Sequence, residues 1–247
     1  MRRYKKAPIL EAVIEFRWSS TKSIEELSAI LLDDVFQGFE EPKPRQLINA
    51  SLNVDAGEVS HDRKHVGFEV TLRDGSETVF LEENKFVFVK RAPYDRWEDF
   101  SARALSLLKP AVSSLKINEF SRVGVRFVNR IDTPSEGESV ASTDSYVNIS
   151  FNGPRKDRGI IEEFQMRVVK PTEKLGIHYA LVVATMPSPL PAHSAIILDI
   201  DVFTKRASAA SGSDLLGLLE QMRDEKNEIF EECVTDQARE LFGGLEV

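Results

Sequence analysis

Between Ala7 and Trp18 the chain alternates. Leu10, Ala12, Ile14, Phe16 and Trp18 fall on one face, and Glu11, Glu15 and Arg17 fall on the other with Ile9 and Val13. A period of two is the mark of a half-buried strand. The same pattern returns over Phe120–Asp132. There Val123, Val125, Phe127 and Ile131 share one side with Asn129, and Arg122, Arg126 and Arg130 share the other with Gly124 and Val128. Three guanidinium groups on one side of a strand call for carboxylates or anions as neighbours.

Between these two strands the period changes twice. Ser23-Ile-Glu-Glu26 is a capping box that opens a helix with Ile24, Leu27, Ile30, Leu31 and Val35 on one stripe, closing near Gly38. Glu40–Arg45, with Pro42 and Pro44, reads as a connector. Strands follow over about Leu47–Val54, Lys64–Arg73, Glu77–Glu82 and Lys85–Arg91. The tight turns Asp74-Gly75 and Glu83-Asn84 make an antiparallel meander of the last three. Asp95-Arg-Trp-Glu98 has the residues of a second helix cap. The stripe after it is Trp97, Phe100, Ala104, Leu107, Leu108, Val112 and Leu115, with Pro110 as an expected kink or break.

The second half repeats this outline. After the Phe120–Asp132 strand come a polar loop (Thr133–Ser142), an ambiguous segment (Asp144–Phe151) and a turn at Asn152-Gly-Pro-Arg155. Strands are then predicted over Ile160–Lys170, Gly176–Met186 and Ala195–Thr204, with an extended link at Pro187, Pro189 and Pro191. A small-residue loop, Lys205–Ser213, leads into a helix from Asp214 to about Phe242, with Gly217 and Thr235 as candidate interruptions. The expectation is a single α+β unit over 1–247: a largely antiparallel, curved sheet from two similar β-α-β(n)-α halves, about 1–118 and 119–247, with helices packed on one face.

Composition narrows the function more than it names one. The chain has 247 residues, 42% of them hydrophobic and 29% charged, enough for a real core. Its net charge of −8 argues against a dedicated nucleic-acid binder. One cysteine, Cys233, allows no intrachain disulfide, which suits a reducing cytoplasm. No apolar run reaches the ~18 residues of a membrane helix, so no membrane role is expected. The apolar start, Ala7–Phe16, is broken by Glu11 and Glu15 and does not read as a signal peptide.

The candidate chemistry is one charged sheet face. Glu11, Glu15, Asp199 and Asp201 with Arg17, Arg122 and Arg126 are expected to share it. Asp199 and Asp201 project together, opposite Leu198, Ile200 and Val202. Such a set either clamps a charged ligand or forms a lattice of cross-strand ion pairs. Asp199-x-Asp201 supplies only two of the roughly six oxygens a hard cation takes, so no metal site is assigned. His61 and His65, with Asp62 as the local third group, fall short of a zinc site. No phosphate loop, Gly-x-Ser-x-Gly or paired-cysteine motif is present, and no cofactor is implied.

Three segments carry a resemblance. They are Ala7-Pro-Ile-Leu-Glu-Ala-Val-Ile-Glu-Phe-Arg17, Arg122-x-Gly-x-Arg-Phe-Val-Asn129 and Leu198-Asp-Ile-Asp-Val-Phe203, ahead of a closing helix with Phe230. In order and spacing the chain resembles the sporadically distributed prokaryotic family of uncharacterised proteins of about 250 residues. That resemblance implies a common fold over nearly the whole chain and no established activity. It marks Glu11, Glu15, Arg122, Gly124, Arg126, Asn129, Asp199 and Asp201 as motif positions, Gly124 and Asn129 among them as structural ones. Glu15-Phe-Arg17 also resembles, less closely, the Glu-x-Glu-x-Lys strand of triphosphate tunnel enzymes. The spacing from Glu11 differs and arginine stands for lysine. The leading expectation is a cytoplasmic binding or interaction protein, with a protein partner, a small anionic ligand or a second copy of the chain as occupants. The alternative is an enzyme acting on a phosphorylated or nucleotide-like substrate.

Overall fold

The computed structural model describes residues 3–53, 58–134, 143–149, 163–210 and 213–243. Side chains are described within these ranges except over 49–53, 58–61 and at 143 and 213. The fold is α+β. Its strands are β1 (Ile9–Arg17), β2 (Lys43–Asn53), β3 (Glu58–Thr71), β4 (Glu77–Glu82), β5 (Lys85–Arg91), β6 (Glu119–Phe120), β7 (Arg122–Pro134), β8 (Gln165–Pro171), β9 (Ile177–Pro187), β10 (His193–Thr204) and β11 (Ser208–Ala209). Its helices are α1 (Ile24–Ile30), α2 (Trp97–Ser114), α3 (Ser213–Cys233) and α4 (Asp236–Leu241).

Nine strands make one antiparallel sheet in the order β2-β3-β4-β5-β1-β7-β10-β9-β8, and β11 pairs with β6 apart from it. β1 and β7 are neighbours at the centre. Each has the last long strand of its own half on its other side, β5 beside β1 and β10 beside β7. Alternation therefore acts across the whole sheet. Ile14 registers with Phe88 on one side and Val125 on the other, and Val125 registers with Val202. All four are buried. This apolar face meets the helices: Phe100 of α2 stacks on Phe88 and lies edge-on to Phe127, and Lys226 of α3 sits over the Phe127 ring. Fully burying one such phenylalanine contributes ~1.5–3 kcal/mol. The opposite face carries Glu15, Arg122, Arg126 and Asp201, and Thr78, Val89 and Asp199 are buried on it.

The Ser23 capping box forms as expected, its hydroxyl accepting from the Glu26 amide and the Glu26 carboxylate accepting from the Ser23 amide. Five expectations need correction. The first helix does not run to Gly38: α1 ends at Ile30, and a separate 3-10 turn follows over Asp34–Phe36. Asp95 does not cap α2; the cap position is Arg96, which makes no side-chain cap bond and instead pairs with Asp99. Pro110 does not divide α2, which runs through it to Ser114. Gly217 lies inside α3 without ending it, whereas Thr235 does separate two helices, its hydroxyl accepting from the Ala238 amide at the start of α4. The Glu40–Arg45 connector ends early, because β2 begins at Lys43. The ambiguous Asp144–Phe151 segment holds a 3-10 turn over Thr143–Ser145 and a bridge from Val147 to Val234. Residues 150–151, the Asn152–Arg155 turn, most of the Thr133–Ser142 loop and residues 160–162 of the expected Ile160–Lys170 strand lie outside the described residues; that strand, β8, begins at Gln165. No helix among the described residues is long and apolar enough to cross a membrane.

Candidate functional site

The charged residues meet on the face opposite the helices because four central strands bring them there in register. Glu15 of β1 stands opposite Gly124 of β7, and Arg126 of β7 stands opposite Asp201 of β10. Glycine at 124 is a requirement of space. The Arg122 guanidinium lies across it, so that a Cβ there would run into Nη1. From that position Arg122 donates from Nη1 to Glu15 Oε1 and from Nη2 to Asp201 Oδ2, the latter at 2.8 Å. Its guanidinium carbon is also 4.8 Å from the centre of the Phe203 ring, within cation–π range.

Arg17 donates to both oxygens of the same Glu15 carboxylate, from Nε at 2.7 Å and Nη2 at 3.0 Å. Glu15, Asp201, Arg17 and Arg122 thus form a charge-balanced foursome. Beside it Arg126 makes a two-pronged fork onto Asp199, Nε to Oδ1 at 2.8 Å and Nη2 to Oδ2 at 2.6 Å. Glu11 is looser: its nearest cation is Arg91 of β5 at 3.7 Å. Arg130, the third arginine of its strand, pairs within β7 with Asp132. The lattice extends outward through Lys85, Glu82, Arg45 and Glu69.

Burial and pairing set the titration of these groups. The hydrogen bonds Arg126 donates to Asp199 raise its pKa, and those Arg17 donates to Glu15 raise that of Arg17. Burial pushes the Asp201 carboxyl up from its ordinary value; the Arg122 charge opposes that and the Glu15 charge adds to it. Arg126 and Arg17 keep 48% of their side-chain surface exposed, whereas Asp199 keeps 12% and Glu15 16%. The carboxylates are therefore sunk into the face and the two arginines stand above them. Val13, Val87 and Val128, half-buried, form an apolar bed between the charges.

All seven sequence-predicted charged residues lie on this face. Glu11 is the one that does not join the arginines of β7. Asn129 points the other way, as its alternation requires, and its buried amide donates to the Leu198 carbonyl at 2.9 Å. Lys85 and Arg91 were not singled out in the sequence. The signal was the alternation of β5, where Lys85, Val87, Val89 and Arg91 share a face. Their placement beside β1 required the sheet order.

The arrangement holds the carboxylates and guanidinium groups of the face against one another, Glu11 most loosely. Among the described residues no group of three or more His, Cys, Asp or Glu side chains could hold a metal ion. His65 donates to the Gly67 carbonyl, His193 bonds the Pro191 carbonyl and His178 stacks on Phe203; the side chain of His61 lies outside the described residues. Two clefts lie away from the charged face. One of about 660 Å³ is lined by the ends of β9 and β10 and the start of α3; one of about 240 Å³ lies beside the start of α2. No protein-family profile matches the chain. No curated protein matches it either.

Proposed function

We propose that this is a cytoplasmic binding protein that docks a protein partner on the open, charged face of its sheet. One observation carries the reading. The central charges already neutralise one another over an apolar bed, so the face presents arginines held by carboxylates and not a set of cations awaiting an anion. Docking surfaces combine an apolar centre with arginines whose polar groups are partly satisfied in advance. Val13, Val87 and Val128 supply the first, and Arg17 and Arg126 the second. The alternative, an enzyme on a phosphorylated or nucleotide-like substrate, needs these arginines for the substrate. Here carboxylates hold them.

On the same footing we read the chain as one α+β unit with a curved sheet, duplicated from halves of about 1–118 and 119–247, and as a member of the family its motifs resemble. The sheet order supports duplication: β1, β5 and β4 stand to α2 as β7, β10 and β9 stand to α3. Superposing the halves is expected to match those elements about an axis between β1 and β7. A best superposition that pairs other strands would end that reading.

The docking proposal is tested with a photo-crosslinking amino acid placed at Val87 in the full chain, expressed in its native cells. Leu32, exposed on the helix side, is the control. The expected result is one discrete adduct from Val87, absent from Leu32 and lost when Arg17→Glu and Arg126→Glu are added. An adduct of twice the chain mass identifies a second copy as the occupant. No adduct, or one indifferent to the charge reversals, overturns the proposal. A thermal-shift series with nucleotides and polyphosphates gives the enzyme its own arm. At ~100-fold over its Kd a true ligand stabilises by ~2.7 kcal/mol. Such a shift, abolished by Arg122→Met, would transfer the site to the alternative.

A further inference from the structure

The cleft of about 660 Å³ at the end of the sheet falls within the ~300–1,000 Å³ range of small-molecule sites. Leu175 and Ile177 at the start of β9, and Leu215 and Leu218 on α3, give it apolar walls. Two features set it apart from an accidental gap.

The first is Arg206. Its side chain lies along Gly176, where φ is +81°, and a Cβ on residue 176 would come within 2.7 Å of Nε and 2.8 Å of Cδ. The glycine is needed for its backbone conformation, and the flexible arginine stem lies over it. Arg206, itself exposed, lines the cleft. Among the described residues it has no carboxylate partner, in contrast to Arg17, Arg122 and Arg126 on the sheet. The neighbouring Lys174 is already tied to Glu225 at 3.1 Å. A guanidinium without a carboxylate partner at the mouth of an apolar cleft is a receptor for a carboxylate or a phosphate monoester.

The second is Gly217. It sits inside the 21-residue α3, where glycine costs ~1 kcal/mol relative to alanine. A Cβ there would meet nothing within 4 Å, so packing against the protein does not explain the missing side chain. Gly217 lines the cleft, and its bareness leaves one helix wall open to whatever enters.

We infer that this cleft binds a small amphipathic anion, its acidic head on Arg206 and its hydrocarbon body against Leu215, Leu218 and the bare backbone at Gly217. Asp214 also lines the cleft, which disfavours a second acidic group on the ligand. The site is separate from the charged sheet face and does not depend on the docking proposal.

The test is amide NMR of the full chain titrated with octanoate, octyl phosphate, octanol and inorganic phosphate. Saturable shifts are expected at Ile177, Ala207 and Leu218 with octanoate or octyl phosphate, and the tighter of the two identifies the head group. Octanol and inorganic phosphate, each carrying half of the chemistry, are expected to bind at least about tenfold more weakly. Arg206→Met is expected to weaken the octyl anion about tenfold and leave octanol unchanged. Gly217→Leu is expected to abolish both, with a melting temperature at or above that of the parent, since the added side chain enters open space. Absence of saturable shifts at these amides with either anion overturns the inference. So does binding that survives Gly217→Leu.

Discussion

Lys226 offers a measurement of how the helix layer is held to the sheet. Its ammonium lies 3.9 Å from the centre of the Phe127 ring, in the apolar layer between α3 and β7, and the residue is 8% exposed. No described carboxylate forms an ion pair with it. Burial, helped by the repulsion of Arg223 and opposed by the pull of Glu231, lowers its pKa from 10.5 to about 7. At ~1.4 kcal/mol per pH unit that distance corresponds to about 5 kcal/mol of destabilisation when the charge is held in the folded state. Attraction to the ring returns ~0.5–2 kcal/mol, so a net burden of ~3 kcal/mol is expected. The sign follows from proton counting. Below pH 7 lysine is charged in both the folded and the unfolded chain, and the burden is complete. Between about 7 and 10.5 the unfolded chain binds the extra proton, so stability rises with pH and the burden fades. Lys226→Met keeps the length of the stem and removes the charge. Urea unfolding is followed by the fluorescence of the two buried tryptophans, Trp18 and Trp97. The variant is expected to be more stable than the parent by ~3 kcal/mol at pH 6, with a gap of under ~1.5 kcal/mol at pH 9.5. A gap that does not change with pH, or a parent more stable than the variant at pH 6, refutes the reasoning.

The charged face makes two further predictions. Arg126→Met leaves the sunken Asp199 without its fork and is expected to cost ~1–3 kcal/mol, between the values for exposed and fully buried pairs; adding Asp199→Asn is expected to recover part of that loss in a double-mutant cycle, and strict additivity would show that the pair does not interact. Gly124→Ala drives a methyl group into the Arg122 guanidinium, which Glu15 and Asp201 hold from the other side, so a loss of ~1–3 kcal/mol is expected by chemical denaturation, and Arg122→Met in the same background is expected to relieve most of it.

Most of the strands were legible because each buries one face. Alternation in β1, β7 and β10 identified both the core side chains and the charged ones, and the two tight turns joined β3, β4 and β5 correctly. The misses were of two kinds. Local chemistry was over-read at Asp95, where cap residues were present but the helix began later on Arg96. It was over-read again at Pro110 and Gly217, whose intrinsic costs of ~3 and ~1 kcal/mol are outweighed by the burial of Leu107, Leu108 and Ala111 in α2 and of Leu215 and Leu219 in α3. Tertiary packing carries helices through residues that would end them in isolation.

The charged face shows a different limit. Alternation says that Arg122, Arg126, Glu15 and Asp199 leave the core, but it does not say which arginine meets which acid. That depends on the order of the strands and on a register read across three of them. A shift of one residue between β7 and β10 would have turned Asp199 and Asp201 into the apolar layer; the observed register sets Arg126 against Asp201 and Val128 against Asp199. The fork then forms diagonally, from Arg126 to Asp199, because the direct partner Asp201 is already taken by Arg122. Arg122 can reach Asp201 only by lying over Gly124. The glycine that looked like a break in a run of arginines is therefore what divides two acids between two cations, and it leaves Arg126 standing, level with Arg17, above the sunken carboxylates.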